Sequence, residues 1–384
     1  MQTDPDITKA MSYADFKSEI INDYTIAVTS RECSLLGRRE VLTGKAKFGI
    51  FGDGKEVAQL AMAKVFEKGD FRSGYYRDQT FAFAKDICTV KQWFAQLYAD
   101  TDVEKEPASG GRQMNGHFAS RSLDENFKWK NLTEQYNSSA DVSPTGSQMP
   151  RLVGLAYASK LYRENKDLHK LKQFSVKGNE VAFGTIGNAS AAEGMFWESI
   201  NACGVLMVPV LMSIWDDGYG ISVPNRYQMT KDNVGECLSG FAYDARKKQG
   251  YKIYTVKGWD YEALVDTYKK AVKETREKHI PSIIHVVEVT QPQGHSTSGS
   301  HERYKSKERL AWEVEYDCIN QMKGWMVEKG YASAEECDAI YEQAKKDVKA
   351  LQKEAFAEFE APIKQEKKSH KHRISRPFMA NNQF

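Results

Sequence analysis

Apolar residues recur at helical spacing in several separate stretches of the chain. Val90, Trp93, Phe94, Leu97 and Tyr98 fall on one helical face, and Thr89 with Gln92 has capping-box spacing ahead of them. Leu152, Val153, Ala156, Tyr157 and Leu161 make a second stripe, and Ala192, Phe196, Ile200 and Cys203 a third. Tyr261, Leu264, Val265, Tyr268, Ala271 and Val272 make a fourth. Between these stripes lie short apolar runs at 181–186, 208–215, 252–256 and 283–289, which read as buried strands. Strand–helix alternation of this kind predicts an α/β fold, a doubly wound, mostly parallel sheet with helices on both faces. Residues 13–45 read as helical and polar, and a further helix is expected over 57–68, behind the Gly52-Asp53-Gly54 turn. The stretch 100–150 is dense in Gly, Ser and Asn and too long for a simple connector, so it is expected to carry function. Residues 306–359 read as helical and charged, and the KQEKKSHKHR run beyond Pro362 as a linker or frayed end. The expected organisation is a helical N-terminal extension (1–45), an α/β module (46–305), a helical C-terminal extension (306–361) and a basic tail (362–384).

Composition narrows the classes. The chain has 384 residues, 41% hydrophobic and 28% charged, enough to bury one large core or two modest ones. Lys+Arg 54 against Asp+Glu 52 leaves a net charge of +2, which argues against a phosphate-backbone binder, so no nucleic-acid partner is expected. No apolar run approaches the roughly 18 residues of a membrane span, and the N-terminus lacks the basic and apolar regions of a secretory signal. The six cysteines are far apart with no CxxC pair, which makes a disulfide scaffold or zinc site unexpected and the cytoplasm the expected compartment.

In a parallel α/β sheet, ligands bind outside the carboxyl ends of the strands, which directs attention to the loops after Ile186 and Trp215. The first reads Gly187-Asn188-Ala189-Ser190-Ala191-Ala192-Glu193-Gly194. Ser190 and Glu193 have capping-box spacing, so a helix N-terminus is expected there, with free N–H groups for an anionic oxygen. The second reads Asp216-Asp217-Gly218-Tyr219-Gly220, and two carboxylates at a strand end are natural ligands for a hard cation such as Mg²⁺. Together the two loops suggest a metal-bound diphosphate.

Gly187-Asn188-Ala189, 26 residues, then Asp216-Asp217 resembles the thiamine-diphosphate motif, usually written GDG followed by NN. WDDGYGISVP at 215–224 is similar to the family's NNxYxIS segment, and GYYRDQTF at 74–81 to its YRDHG segment. GGRQMNGHF at 110–118, SPTGSQMPRLVGLAYASK at 143–160 and GHSTS at 294–298 resemble three further blocks. Six blocks in collinear order identify the chain as resembling the α subunit, or α-like domain of a fused chain, of the decarboxylating component of 2-oxo acid dehydrogenase complexes, nearest the branched-chain 2-oxoisovalerate type. Gly52-Asp53-Gly54 has no acidic or asparagine pair about 26 residues on and is read as a structural turn.

The resemblance implies a transketolase-like fold, thiamine diphosphate and Mg²⁺ as cofactors, and a role for each matching position. Asn188 and Asp217 would offer side-chain oxygens and Tyr219 its carbonyl to the metal. Tyr76 and Arg77 would hold the diphosphate, Gly187, Ala189 and Ser190 would bring backbone against it, and Ser143 and Thr145 would line the cofactor's middle. His295 would sit by the thiazolium and assist proton or acyl transfer, while His117 is read as a loop-packing histidine. The chain departs from the pattern in two places. Asn188 and Asp217 exchange the usual carboxylate and amide, which conserves the charge of the metal shell, and Trp215 stands where branched-chain relatives often carry arginine. No segment resembles the second cofactor-binding module. The expected partners are therefore a β-type subunit or a fused second module, a lipoyl-bearing acyltransferase and a small 2-oxo acid, in a heterotetramer or a dimer of fused chains. A pyruvate or acetoin dehydrogenase, and a non-catalytic module of the same fold, remain open alternatives.

Overall fold

Strand residues whose neighbours face opposite sides of a sheet need cover on both, and the alternation of apolar residues here supplies two cores. The computed structural model describes residues 12–374. In chain order its strands are β1 (Phe71–Ser73), β2 (Asn137–Ser138), β3 (Ala182–Gly187), β4 (Val210–Trp215), β5 (Tyr219–Gly220), β6 (Val223–Pro224), β7 (Lys252–Lys257) and β8 (Ser282–Val287). Six of them form one parallel sheet in the order β2-β1-β3-β4-β8-β7, and β5 with β6 forms a small antiparallel ribbon. The helices are α1 (Tyr13–Leu42), α2 (Glu56–Val65), α3 (Gln79–Ala84), α4 (Val90–Leu97), α5 (Gln148–Glu164), α6 (Gly194–Leu206), α7 (Val234–Leu238), α8 (Tyr261–Lys278), α9 (Lys307–Glu315), α10 (Cys318–Glu328) and α11 (Ala334–Ile374). The α/β class and the doubly wound, parallel sheet are as the pattern predicts.

Leu211, Trp215, Ile284 and Val286 face a core built with α1, α2, α8, α10 and α11. Val210, Met212, Ile214 and Ile283 face the opposite core, with α5 and α6. A third cluster packs Cys33 and Leu36 of α1 and Trp93 and Phe94 of α4 against Val348 and Ala355 of α11. α1 shows no single apolar stripe because it is enclosed on several sides. Its Arg31 is buried in an ion pair with Glu56 of α2 (2.7 Å) and another with Asp317 (2.8 Å). The predicted capping box of α4 is present, with Thr89 Oγ1 accepting from the Gln92 N–H.

Four elements differ from expectation. β1 and β2 are strands of three and two residues, too short for any periodicity, and polar Asn137 and Ser138 make up the second. The helix expected to open at Ser190 begins at Gly194: residues 190–192 form a 3₁₀ turn, and Glu193 is extended and gives no side-chain cap. The carbonyls of Ala189 and Ser190 accept from Ala192 and Glu193 in that tight turn, which breaks the register that the capping box needs. The basic run beyond Pro362, expected as a linker, is helical to Ile374. Pro362 is exposed, and Lys364 pairs with Glu360 across the same turn (2.7 Å). Residues 375–384 of the expected tail lie outside the described residues.

Candidate functional site

Register sets the position of the site. Ser73 of β1 lies beside Gly184 of β3, Gly187 beside Trp215 of β4, and Trp215 beside Val286 of β8. Four adjacent parallel strands thus end at one edge, and their loops carry Tyr75–Arg77, Gly187–Ser190, Asp216–Ile221 and Thr290–His295 to a common place. A cavity of ≈ 290 Å³ there is lined by residues of all four loops, among them Tyr76, Arg77, Asn188, Asp217, Tyr219 and His295.

The first loop rests on a buried charge cluster. Arg72 of β1 donates to Asp78 Oδ2 (2.8 Å), to both carboxylate oxygens of Asp141 (3.0 Å each), to Ser138 Oγ (2.8 Å) and to the Tyr75 carbonyl (3.0 Å). Arg72, Asp78 and Asp141 are all at most 4% exposed. The 110–118 block closes over this loop: Gly116 has φ +80°, and a Cβ there would lie 2.3 Å from the Tyr76 carbonyl oxygen, so only glycine fits. Arg77 is buried; its guanidinium donates to the Phe51 carbonyl and, through Nη2, to the His295 carbonyl (2.9 Å) and ring Nδ1 (3.0 Å). Because guanidinium only donates, Nδ1 of His295 accepts and the ring proton sits on Nε2. Burial, reinforced by Arg77, pushes the His295 imidazole down to about 4, so it is neutral at physiological pH.

The two aspartates of the second loop part company. Asp216 Oδ2 pairs with His285 Nε2 (2.8 Å), and its Oδ1 accepts from Gly218 N–H and Asn225 Nδ2 (3.0 Å each). Asp216 is therefore committed to the scaffold, while Asp217 lines the cavity. Asn225 passes the order on: its Oδ1 accepts from Asn188 Nδ2 (2.6 Å), which also lies 3.3 Å from the Tyr219 carbonyl oxygen. Asn188 Oδ1 receives no hydrogen bond from a described residue. The N–H groups of Ala189 and Ser190, both on the cavity wall, likewise find no backbone acceptor among the described residues. Unpaired N–H donors beside a buried guanidinium suit a diphosphate, and the amide, carboxylate and carbonyl oxygens of Asn188, Asp217 and Tyr219 suit a hard cation. The described residues contain no cluster of three His, Cys, Asp or Glu set for a metal, so any cation here relies on this mixed oxygen set.

Thr145 and Gly187 line the cavity as expected. Ser143 does not: its hydroxyl bonds His117 Nε2 (3.1 Å) and Gln113 Oε1 (3.2 Å). His117 is buried and also bonds the Met114 carbonyl (3.0 Å), in keeping with a packing role. Trp215 closes part of the cavity and donates its indole N–H to Asp78 (3.3 Å). The Gly52–Gly54 turn is structural, with Asp53 accepting from the Gln293 N–H (3.0 Å), yet the residue that follows it, Lys55, lines the cavity and was not singled out from the sequence. Burial pushes the Lys55 ammonium down to about 8, with Asp217 opposing the shift.

The sequence profile of the dehydrogenase E1 component family matches residues 31–364. The chain belongs to that family. It is an α-type E1 component of a thiamine-diphosphate-dependent 2-oxo acid dehydrogenase. Its sequence is similar to the 2-oxoisovalerate dehydrogenase subunit alpha of Bacillus subtilis, 27% identical over 319 residues, which is 83% of each chain. It is also similar to the mitochondrial 2-oxoisovalerate dehydrogenase subunits alpha of Dictyostelium discoideum (27% over 329 residues) and Mus musculus (23% over 322). Those two matches cover 84% of this chain and 65% and 63% of the mitochondrial proteins, so this E1 component spans less than two thirds of their length. Among the described residues no helix is long and apolar enough to cross a membrane.

Proposed function

We propose that this E1 component decarboxylates a branched-chain 2-oxo acid of the 2-oxoisovalerate type and passes the acyl group to a lipoyl-bearing acyltransferase. Convergence of Arg77, Asn188–Ser190, Asp217, Tyr219 and His295 on one cavity carries the reading. Bound thiamine diphosphate would supply the electron sink for loss of carbon dioxide. The protein's part is position and electrostatics. Tyr76, Arg77 and the Ala189 and Ser190 N–H groups would hold the diphosphate, with Gly187 keeping the approach open. Asn188, Asp217 and the Tyr219 carbonyl would hold Mg²⁺ against it, and Thr145, with Ser143 behind it, would border the cofactor's middle. His295, neutral and fixed by Arg77 with its proton on Nε2, would donate that hydrogen bond to the substrate carboxylate or to the oxygen that gains charge. A β-type subunit or a fused second module would complete the site, in a heterotetramer or a dimer of fused chains.

The test is calorimetric titration with thiamine diphosphate, with and without Mg²⁺, followed by rate comparison on 2-oxoisovalerate and pyruvate with the β-type module present. Saturable binding strengthened by Mg²⁺ and faster turnover of 2-oxoisovalerate are expected. No binding, with the second module present, would refute the cofactor assignment; faster pyruvate turnover would refute the substrate assignment.

A further inference from the structure

Lys55 is unusual among the cavity residues in being a fully enclosed ammonium, its side chain 2% exposed. It is held from the loop after β8: Nζ donates to Gln291 Oε1 at 2.6 Å and to the Thr290 carbonyl at 3.3 Å. Both acceptors are neutral. The carboxylate within 4.0 Å of the ammonium, among the described residues, is Asp217, whose Oδ2 is 3.8 Å away. Asp217 is the one acidic side chain among the three oxygen donors that could face a metal, because Asp216 is bound up with His285 and Asn225. The charge of Asp217 is therefore already partly met by a cation built into the chain.

We infer that Lys55 is a resident cation of the diphosphate site that shares Asp217 with the divalent metal, so that cofactor binding depends on Mg²⁺ far less than the oxygen donors by themselves would require. This rests on the cofactor assignment above. Without metal, a diphosphate next to an unpaired Asp217 would meet like charge; Lys55, on the cavity wall, offsets that charge. With metal, Mg²⁺ must settle beside Lys55 and Arg77, and the repulsion lowers its affinity. The two effects act in the same direction on one measurable quantity, the ratio of cofactor affinities with and without Mg²⁺, because binding couplings are reciprocal.

The full chain, with the β-type module present, is titrated at pH 7 with thiamine diphosphate in EDTA and in saturating Mg²⁺, as wild type and as Lys55→Gln. Wild type is expected to bind in EDTA within about tenfold of its Mg²⁺ affinity, and Lys55→Gln to raise the ratio by a further tenfold or more, about 1.4 kcal/mol. An unchanged ratio in Lys55→Gln, or a wild-type ratio above about tenfold, would overturn the inference. If circular dichroism shows that Lys55→Gln does not fold, the wild-type ratio decides. Absence of saturable wild-type binding in both buffers overturns the cofactor assignment itself, whereas binding that is indifferent to Lys55 overturns only the role of the lysine.

Discussion

Replacing Arg72 with methionine tests whether the buried charge cluster under the Tyr76–Arg77 loop holds that loop in place. Methionine keeps the length of the stem but removes the guanidinium, and so strips the partner from two carboxylates, Asp78 and Asp141, that are 0% and 4% exposed. Removing one partner of a buried ion pair costs about 3–5 kcal/mol, because the remaining charge is left uncompensated. Set against a native stability of roughly 5–15 kcal/mol, the variant should fold but with a sharply lower urea midpoint. The sign of its pH dependence is fixed. In the wild-type protein burial raises the Asp141 carboxyl above its ordinary value, with Arg72 as the main opposing influence. Without Arg72 the rise is larger, so the folded variant holds a proton that its unfolded chain would release. The deficit is then larger at neutral pH and shrinks as the pH falls toward the ordinary carboxylate range. Urea titrations at pH 7 and pH 5, followed by circular dichroism, measure both features. A loss below about 1 kcal/mol at pH 7, or a gap between wild type and variant that does not narrow on acidification, would refute the argument.

Asp217→Ala should remove the strengthening of cofactor binding by Mg²⁺, and retention of wild-type Mg²⁺ dependence would sink the metal assignment. His295→Ala should leave thiamine diphosphate binding within about threefold while lowering lipoyl acylation by about 10²-fold or more, read in an acyl-transfer assay with the β-type module; unchanged acylation refutes its role. The His295 ring resonances should stay constant in a proton NMR titration from pH 8 to pH 5.5, since its imidazole is pushed down to about 4. The same depression means that His295 takes stability away as pH falls below its unfolded value of about 6.5, an effect complete near pH 4. Asn225→Ala should free the Asn188 amide and weaken Mg²⁺-dependent cofactor binding by about tenfold, and should lower the unfolding midpoint by the loss of the buried hydrogen bond to Asp216.

Much of this site was legible because its residues follow apolar strands directly in sequence. Gly187–Ser190 and Asp217–Tyr219 close β3 and β4, and a strand end is visible where an apolar run stops at glycine. Arg77 and His295 came from recognisable blocks, since the strand before Arg77 is only three residues long and carries a charge. What could not be read depends on partners distant in the chain. A lysine after a Gly-Asp-Gly turn has the look of a solvated charge, and Lys55 is buried only because Thr290 and Gln291, 235 and 236 positions later, fold over it. Asp216 and Asp217 are chemically identical neighbours, and only His285 and Asn225 separate their roles. The helical course of the basic run past Pro362 was hidden by a residue that usually ends helices, tolerated here because the segment is exposed.

The packing of α1 on α10 and α11 also dictates an order of events during synthesis. Cys33 and Leu36 share a cluster with Val348 and Ala355, and Arg31 is neutralised in part by Asp317, so α1 is completed only by elements about 300 positions later in the chain. While the ribosome is still making the strands of the central sheet, one flank of α1 stays bare, with a buried-type arginine still lacking one of its two carboxylates. The nascent chain must therefore carry exposed apolar side chains beside that arginine until about 300 further residues have emerged, a long exposure for a chain that folds in the crowded cell.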